Sequence, residues 1–135
     1  MTHPSAGLLV VSRFRVPDDE RAAFLVAAAA AMDALAAQAG CRSISLGQST
    51  DDSGLLAISS EWDGVGAYRR GLSAFDVKVN AVPLLSRAID EPSAYEVVRR
   101  TDAAGTVVAA SGLAADAGSI GLGAAAGPQI PGVPS

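Results

Sequence analysis

Apolar and polar positions first fall into a repeating order at Leu8–Val16. Leu8, Val10, Ser12 and Phe14 share one side of an extended chain, and Leu9, Val11, Arg13 and Arg15 share the other. That period of two predicts a strand. Both sides start apolar, so both are expected to be covered. Pro17 stops the strand, and Asp18-Asp19-Glu20 puts acids where a helix N-terminus favours them. The period then lengthens. From Asp18 to Ala39 the residues Phe24, Ala28, Ala31 and Leu35, with Leu25 and Met32, form a stripe at helical spacing. Gly40 follows where a left-handed residue closes a helix. Cys41–Gln48 alternates again, Ser49–Gly54 is turn-forming, and Leu55–Trp62 is a short apolar-rich run, so the two runs predict a β-hairpin.

At Trp62-Asp63-Gly64 the second strand of that hairpin runs straight into a helix. Asp63 is expected to cap it, leaving Trp62 at a strand end and Tyr68 on the helix beside it. Ser73 is expected to cap a further helix over Ala74–Ile89, with Phe75, Val79, Val82 and Leu85 facing inward and a break at Pro83. Asp90-Glu91-Pro92 ends it, and Ser93–Val98 supplies the last strand. The order β-α-β-β-α-β is that of the ferredoxin-like motif, an α+β fold with four antiparallel strands backed by helices. Such a sheet has one bare face. Leu9 and Val11 would lie on it, and pairing two sheets would remove them from water, so a homodimer is expected.

Composition divides the chain. Past Arg100 there is no Lys or Arg, no aromatic residue, and only Asp102 and Asp116 as acids. Residues 101–135 hold 7 of the 14 glycines and 3 of the 7 prolines, too little packing surface to offset backbone entropy. The expected division is therefore a domain over 6–99 and a disordered tail over 100–135. The net charge of −4, with scattered basic residues, marks no nucleic-acid face. A single cysteine, Cys41, has no internal disulfide partner, which fits a reducing compartment. Neither a basic-then-apolar leader nor an apolar run near the ~20 residues of a membrane span is present. A cytoplasmic protein is expected.

Several pieces together carry a resemblance: Val10-Val11-Ser12-Arg13-Phe14, Ser60-Glu61-Trp62, Ala67-Tyr68-Arg69-Arg70, Phe75-Asp76-Val77-Lys78 and Asp90-Glu91-Pro92-Ser93-Ala94-Tyr95-Glu96-Val97. They resemble the antibiotic-biosynthesis monooxygenase family of the dimeric α+β barrel superfamily, over roughly residues 6 to 99. The family hosts more than one reaction. Its haem-degrading members have a tryptophan where Trp62 stands. They also carry an asparagine where this chain has Ser12, and an iron-ligating histidine near Val79 or Asn80. The chain's single histidine is His3, so haem degradation is rejected.

The quinone-forming members oxidise polyaromatic phenols with dioxygen and without metal or flavin. The resemblance to them implies no cofactor, an aromatic or apolar small molecule as substrate, and catalytic roles for Trp62 and Tyr68. Ser12, Asn80 and Phe75 are the implied substrate-binding residues. Two features of those enzymes are replaced here: an amide by Ile58, and a late-helix arginine by an apolar residue such as Val82. Glu61 is the nearest candidate base. Each also has a structural reading: Trp62 as core, Tyr68 as a helix residue with its hydroxyl in water, Ser12 as a local hydrogen-bonder, Cys41 as a small hydrophobe. The alternative function is a non-catalytic dimeric domain that binds a small ligand.

Within the tail, Gly118-Ser119-Ile120-Gly121-Leu122-Gly123 resembles the targeting peptides of encapsulin cargo. Ser119, Ile120, Gly121, Leu122 and Gly123 would then dock on a shell protein, and the chain would sit in an encapsulin nanocompartment.

Overall fold

The computed structural model describes residues 6–109, which form two units: a body over Gly7–Glu96, and a second unit that includes Val97–Ala109 together with Ala6. The body holds a four-stranded antiparallel sheet of order β2-β3-β1-β4. Its strands are β1 (Leu8–Arg15), β2 (Cys41–Gln48), β3 (Leu55–Trp62) and β4 (Ala94–Glu96). β1 pairs with β3 along its whole length, from Leu8 opposite Trp62 to Arg15 opposite Leu55. The expected hairpin of β2 and β3 is present, with a register shift between Cys41 and Ser43. This is the ferredoxin-like α+β arrangement.

Alternation then sets the two faces. Leu8, Val10, Ser12 and Phe14 are buried, as are Leu56, Ile58, Ser60 and Trp62 on β3. Helix α1 (Arg21–Ala36), preceded by a 3-10 turn at Asp18–Glu20, lays Phe24, Ala28, Ala31 and Leu35 on them. Phe14 and Phe24 meet with ring centroids 5.1 Å apart in a tilted pair, an arrangement worth about 0.5–1.5 kcal/mol beyond burial. Leu25, expected in the stripe, lies on its exposed margin. Gly40 has φ +90, and a Cβ there would stand 2.6 Å from the Ala67 Cβ. The position therefore needs glycine both for its backbone conformation and for close approach of the next helix.

The second helical layer departs from expectation. It is three pieces, α2 (Val65–Ser73), α3 (Phe75–Asn80) and α4 (Val82–Leu85), where one helix after Ser73 is predicted. Ser73 does not cap: its hydroxyl donates back to the Arg69 carbonyl at 3.1 Å, and Ala74 takes the extended cap position. Asp63 does not cap α2 either. Gly64 stands there, and the Asp63 carboxylate binds Arg42 at 2.8 Å. Pro83 sits in the first turn of α4, where a missing N–H costs nothing. These breaks reset the helical phase. Val77, Ala81 and Leu84 are buried, while Phe75, Val79 and Val82 are exposed. The sequence carries both stripes at helical spacing, and packing selects the one with smaller side chains.

The other sheet face carries Leu9 and Val11, half-buried, beside small neighbours. Val11 lies opposite Ser59, which lies opposite Ser45; Arg13 lies opposite Ala57, which lies opposite Gly47. β4 covers the β1 edge only at Leu8–Val10. Beyond it, Val11 N–H donates to the Ser93 carbonyl at 2.7 Å and Ile89 N–H donates to the Arg13 carbonyl at 2.8 Å. The segment after α4 thus runs along that edge without continuing the ladder.

In the second unit, β5 (Arg99–Asp102) and β6 (Gly105–Val108) form a two-stranded hairpin. The Thr101 and Thr106 hydroxyls meet at 2.9 Å, and Arg100 Nη2 donates to the Ala6 carbonyl at 2.9 Å. The segment from residue 100, expected to be structureless, therefore starts as strand. Thr and Val flank an Asp102–Gly105 turn, a local signal lost in the average composition of 101–135. The Gly118–Gly123 peptide lies outside the described residues.

Candidate functional site

Two strand ends and a helix bring together only part of the expected site. Trp62, at the end of β3, is fully enclosed at 0% exposure. Its indole N–H donates to Ser60 Oγ at 2.9 Å, so its one polar group is already used. Gly71 admits the ring: a Cβ there would come within 3.0 Å of Trp62 Cζ3 and 3.1 Å of Cη2. On another side Tyr68 packs on it with ring centroids 5.2 Å apart. Trp62 thus packs as a core residue behind Tyr68, and it is not among the residues that line the recess at the β1 edge.

Tyr68 is half-buried, and burial pushes its phenol pKa up. Loss of water penalises the phenolate, so the group stays protonated and remains a donor. Tyr68 and Ser12 both line a recess of about 330 Å³ at the β1 edge, with Val11, Leu85, Ile89 and Glu91 among the other walls. Ser12 is 7% exposed. Its hydroxyl has no hydrogen-bond partner among the described residues, yet it is not sealed off as an unsatisfied buried atom. It opens onto the recess. Buried hydroxyls are ordinarily bonded, so a free one facing a cavity is a position for a ligand or water.

Asn80 and Phe75 do not join it. Phe75 is 81% exposed, and the exposed Asn80 side chain donates to Asp76 at 2.6 Å. Both follow from the shifted helical phase. Glu61 alternates to the opposite sheet face from Ser60 and Trp62. Cys41 is half-buried, and desolvation raises its thiol pKa, as suits a small packed side chain.

The recess also uses residues that sequence reasoning passed over. Ser86, Ala88, Ile89, Asp90, Glu91 and Ser93 form its outer wall. Arg13 grips Glu91 with two bonds of 2.7 Å, from Nε and Nη2. That pairing, chiefly through its hydrogen bonds, holds the Glu91 carboxyl below the usual carboxylate range. Asp90-Glu91-Pro92 reads locally as a helix stop, so only the crossing at the β1 edge could reveal this wall. Among the described residues no group of three or more His, Cys, Asp or Glu is placed to hold a metal ion, and no helix is long and apolar enough to cross a membrane.

These elements define an α+β domain with a recess open at the β1 edge, and comparison sets it beside known proteins. Residues 7–70 match the sequence model of the antibiotic biosynthesis monooxygenase family, the family that the resemblance implied. No curated protein matches at a significant level. Among solved structures, SnoaB, a cofactor-independent oxygenase from Streptomyces nogalater, shares 22% identity at TM-score 0.59, covering 67% of this chain and 92% of that one. A conserved protein from Bacteroides thetaiotaomicron, described as a possible oxidoreductase, gives 14% and 0.60, covering 70% and 99%. Rv0793 from Mycobacterium tuberculosis gives 21% and 0.57, covering 73% and 99%. Similarity at these identities speaks for the fold.

Proposed function

We propose that this chain is a monooxygenase of the antibiotic-biosynthesis type that takes a phenolic or quinol-like small molecule into the recess at the β1 edge. The observation that carries the reading is the unpartnered, nine-tenths-buried Ser12 hydroxyl facing the same cavity as the Tyr68 phenol. A volume near 330 Å³ lies at the small end of ligand sites. Ser12 and Tyr68 would both donate to a substrate oxygen there, and Leu85, Ile89 and Val11 offer apolar walls to a ring. Dioxygen would be the oxidant, reduced by the substrate itself as in the cofactor-independent type of this family. SnoaB, which bears that description, supports this reading.

The working form would be a homodimer. Leu9 and Val11, set among Ser45, Gly47, Ala57 and Ser59, make a flat face suited to a second sheet. The Gly118–Gly123 peptide would tether the domain to an encapsulin shell.

The test is turnover of an anthrone-like phenol under air, by absorbance and oxygen uptake, with wild type, Ser12→Ala and Tyr68→Phe. Each variant should lose tenfold or more in kcat/KM while melting near wild type. Tight binding with no oxygen uptake under any condition would instead favour the non-catalytic ligand-binding domain. Unchanged turnover in both variants would move the site elsewhere.

A further inference from the structure

The charges around the recess say what kind of ligand fits. Four hydroxyl-bearing residues line it, Ser12, Tyr68, Ser86 and Ser93, and burial keeps the Tyr68 phenol protonated. Two carboxylates, Asp90 and Glu91, stand in its outer wall, and its lining contains no Lys or Arg. Arg13 touches that wall through Glu91, with Nε and Nη2 each holding one Glu91 oxygen at 2.7 Å, while Arg87, between the lining residues Ser86 and Ala88, lies over the Phe24 ring and pairs with Glu20 at 3.6 Å. Asp90 has no ion-pair or hydrogen-bond partner among the described residues. A carboxylate or sulfonate entering here would meet a net negative rim and no cation in the lining that is not already paired with a carboxylate.

We infer that the recess takes a neutral ligand with a carbonyl or hydroxyl oxygen, and that the Arg13–Glu91 pair excludes anions. This rests on the proposal that the recess is the ligand site, and it adds the charge class of the ligand. A phenol enters as the neutral molecule, accepts from Tyr68 and Ser12, and leaves the ion pair intact. An anion of the same ring would have to draw Arg13 away from a bidentate partner, the strongest geometry a guanidinium has. Removing the Glu91 charge releases Arg13 at the cavity wall and should convert the recess into an anion acceptor.

The test uses 1-naphthol and 1-naphthoate, one ring system in two charge states. Trp62 is the only tryptophan, and its ring lies 5.2 Å from that of Tyr68, so its fluorescence reports occupancy. Wild type should bind naphthol at least tenfold more tightly than naphthoate. In Glu91→Gln the ratio should shift towards naphthoate by tenfold or more. Adding Arg13→Gln to that variant should abolish the gain, which separates a freed guanidinium from a loosened wall. Circular dichroism verifies that each variant is folded. Equal or tighter naphthoate binding by wild type would overturn the inference, as would a Glu91→Gln ratio that does not move. If neither compound binds and Ser12→Ala changes nothing, the ligand-site proposal itself fails.

Discussion

Replacing Trp62 with phenylalanine separates a packing role from a substrate role. The indole is fully buried, donates to Ser60 at 2.9 Å, and lies against Gly71 and Tyr68. Removing its second ring deletes a few buried carbons, at about 2–3 kcal/mol for lost transfer energy and residual cavity. It also strips Ser60, 5% exposed, of its only donor in the core, adding roughly 1–2 kcal/mol. The sum is about 3–5 kcal/mol. For a folded body of ~100 residues each kcal/mol shifts Tm by about 4–8 °C, so a drop of at least about 12 °C is expected in calorimetry. Pairing it with Ser60→Ala should recover the hydroxyl's share, because both partners of the bond are then gone. Loss of turnover with stability within ~1 kcal/mol of wild type would refute the packing argument and return Trp62 to the substrate.

Four further outcomes follow from the same geometry. Gly71→Ala should destabilise by about 1–2 kcal/mol by denaturant titration, since overpacking against Trp62 at 3.0 Å outweighs the ~1 kcal/mol gain in helix propensity. Glu91 is held ionised by Arg13, so its contribution is present above the ordinary carboxylate pKa and fades as pH falls through its lowered one. Glu91→Gln should therefore flatten the stability curve below about pH 4.3, and an unchanged acid limb would count against the pair. Light scattering at low micromolar concentration should give a dimer, and Val11→Lys a monomer. Co-expression with an encapsulin shell protein should package the full chain but neither a form ending at Arg100 nor the Ile120→Asp, Leu122→Asp form; equal packaging of the last would sink the docking role.

Strand alternation and the glycines determined much of this fold. Period two over Leu8–Arg15 set which residues of β1 are buried, because neighbouring side chains on a strand must point to opposite faces. Gly40, expected to end the helix, lies instead in the turn after it, since α1 stops at Ala36 with Ala37 as its cap, yet the turn needs glycine there for its positive φ and for the approach of Ala67. The match to the antibiotic biosynthesis monooxygenase model over residues 7–70 was likewise foreshadowed in local pieces around Trp62 and Tyr68. Tertiary structure decided the second helical layer. Two stripes at helical spacing compete after Ser73, and a choice between Phe75-Val79-Val82 and Val77-Ala81-Leu84 depends on how much room lies between α1 and the sheet. That choice removed Phe75 and Asn80 from the site. Tertiary structure also built the recess wall, since Arg13 and Glu91 stand 78 positions apart and neither alone says that it will meet the other. Local sequence fixes direction along a strand or around a helix, whereas a cavity is defined by segments that meet only when the chain closes.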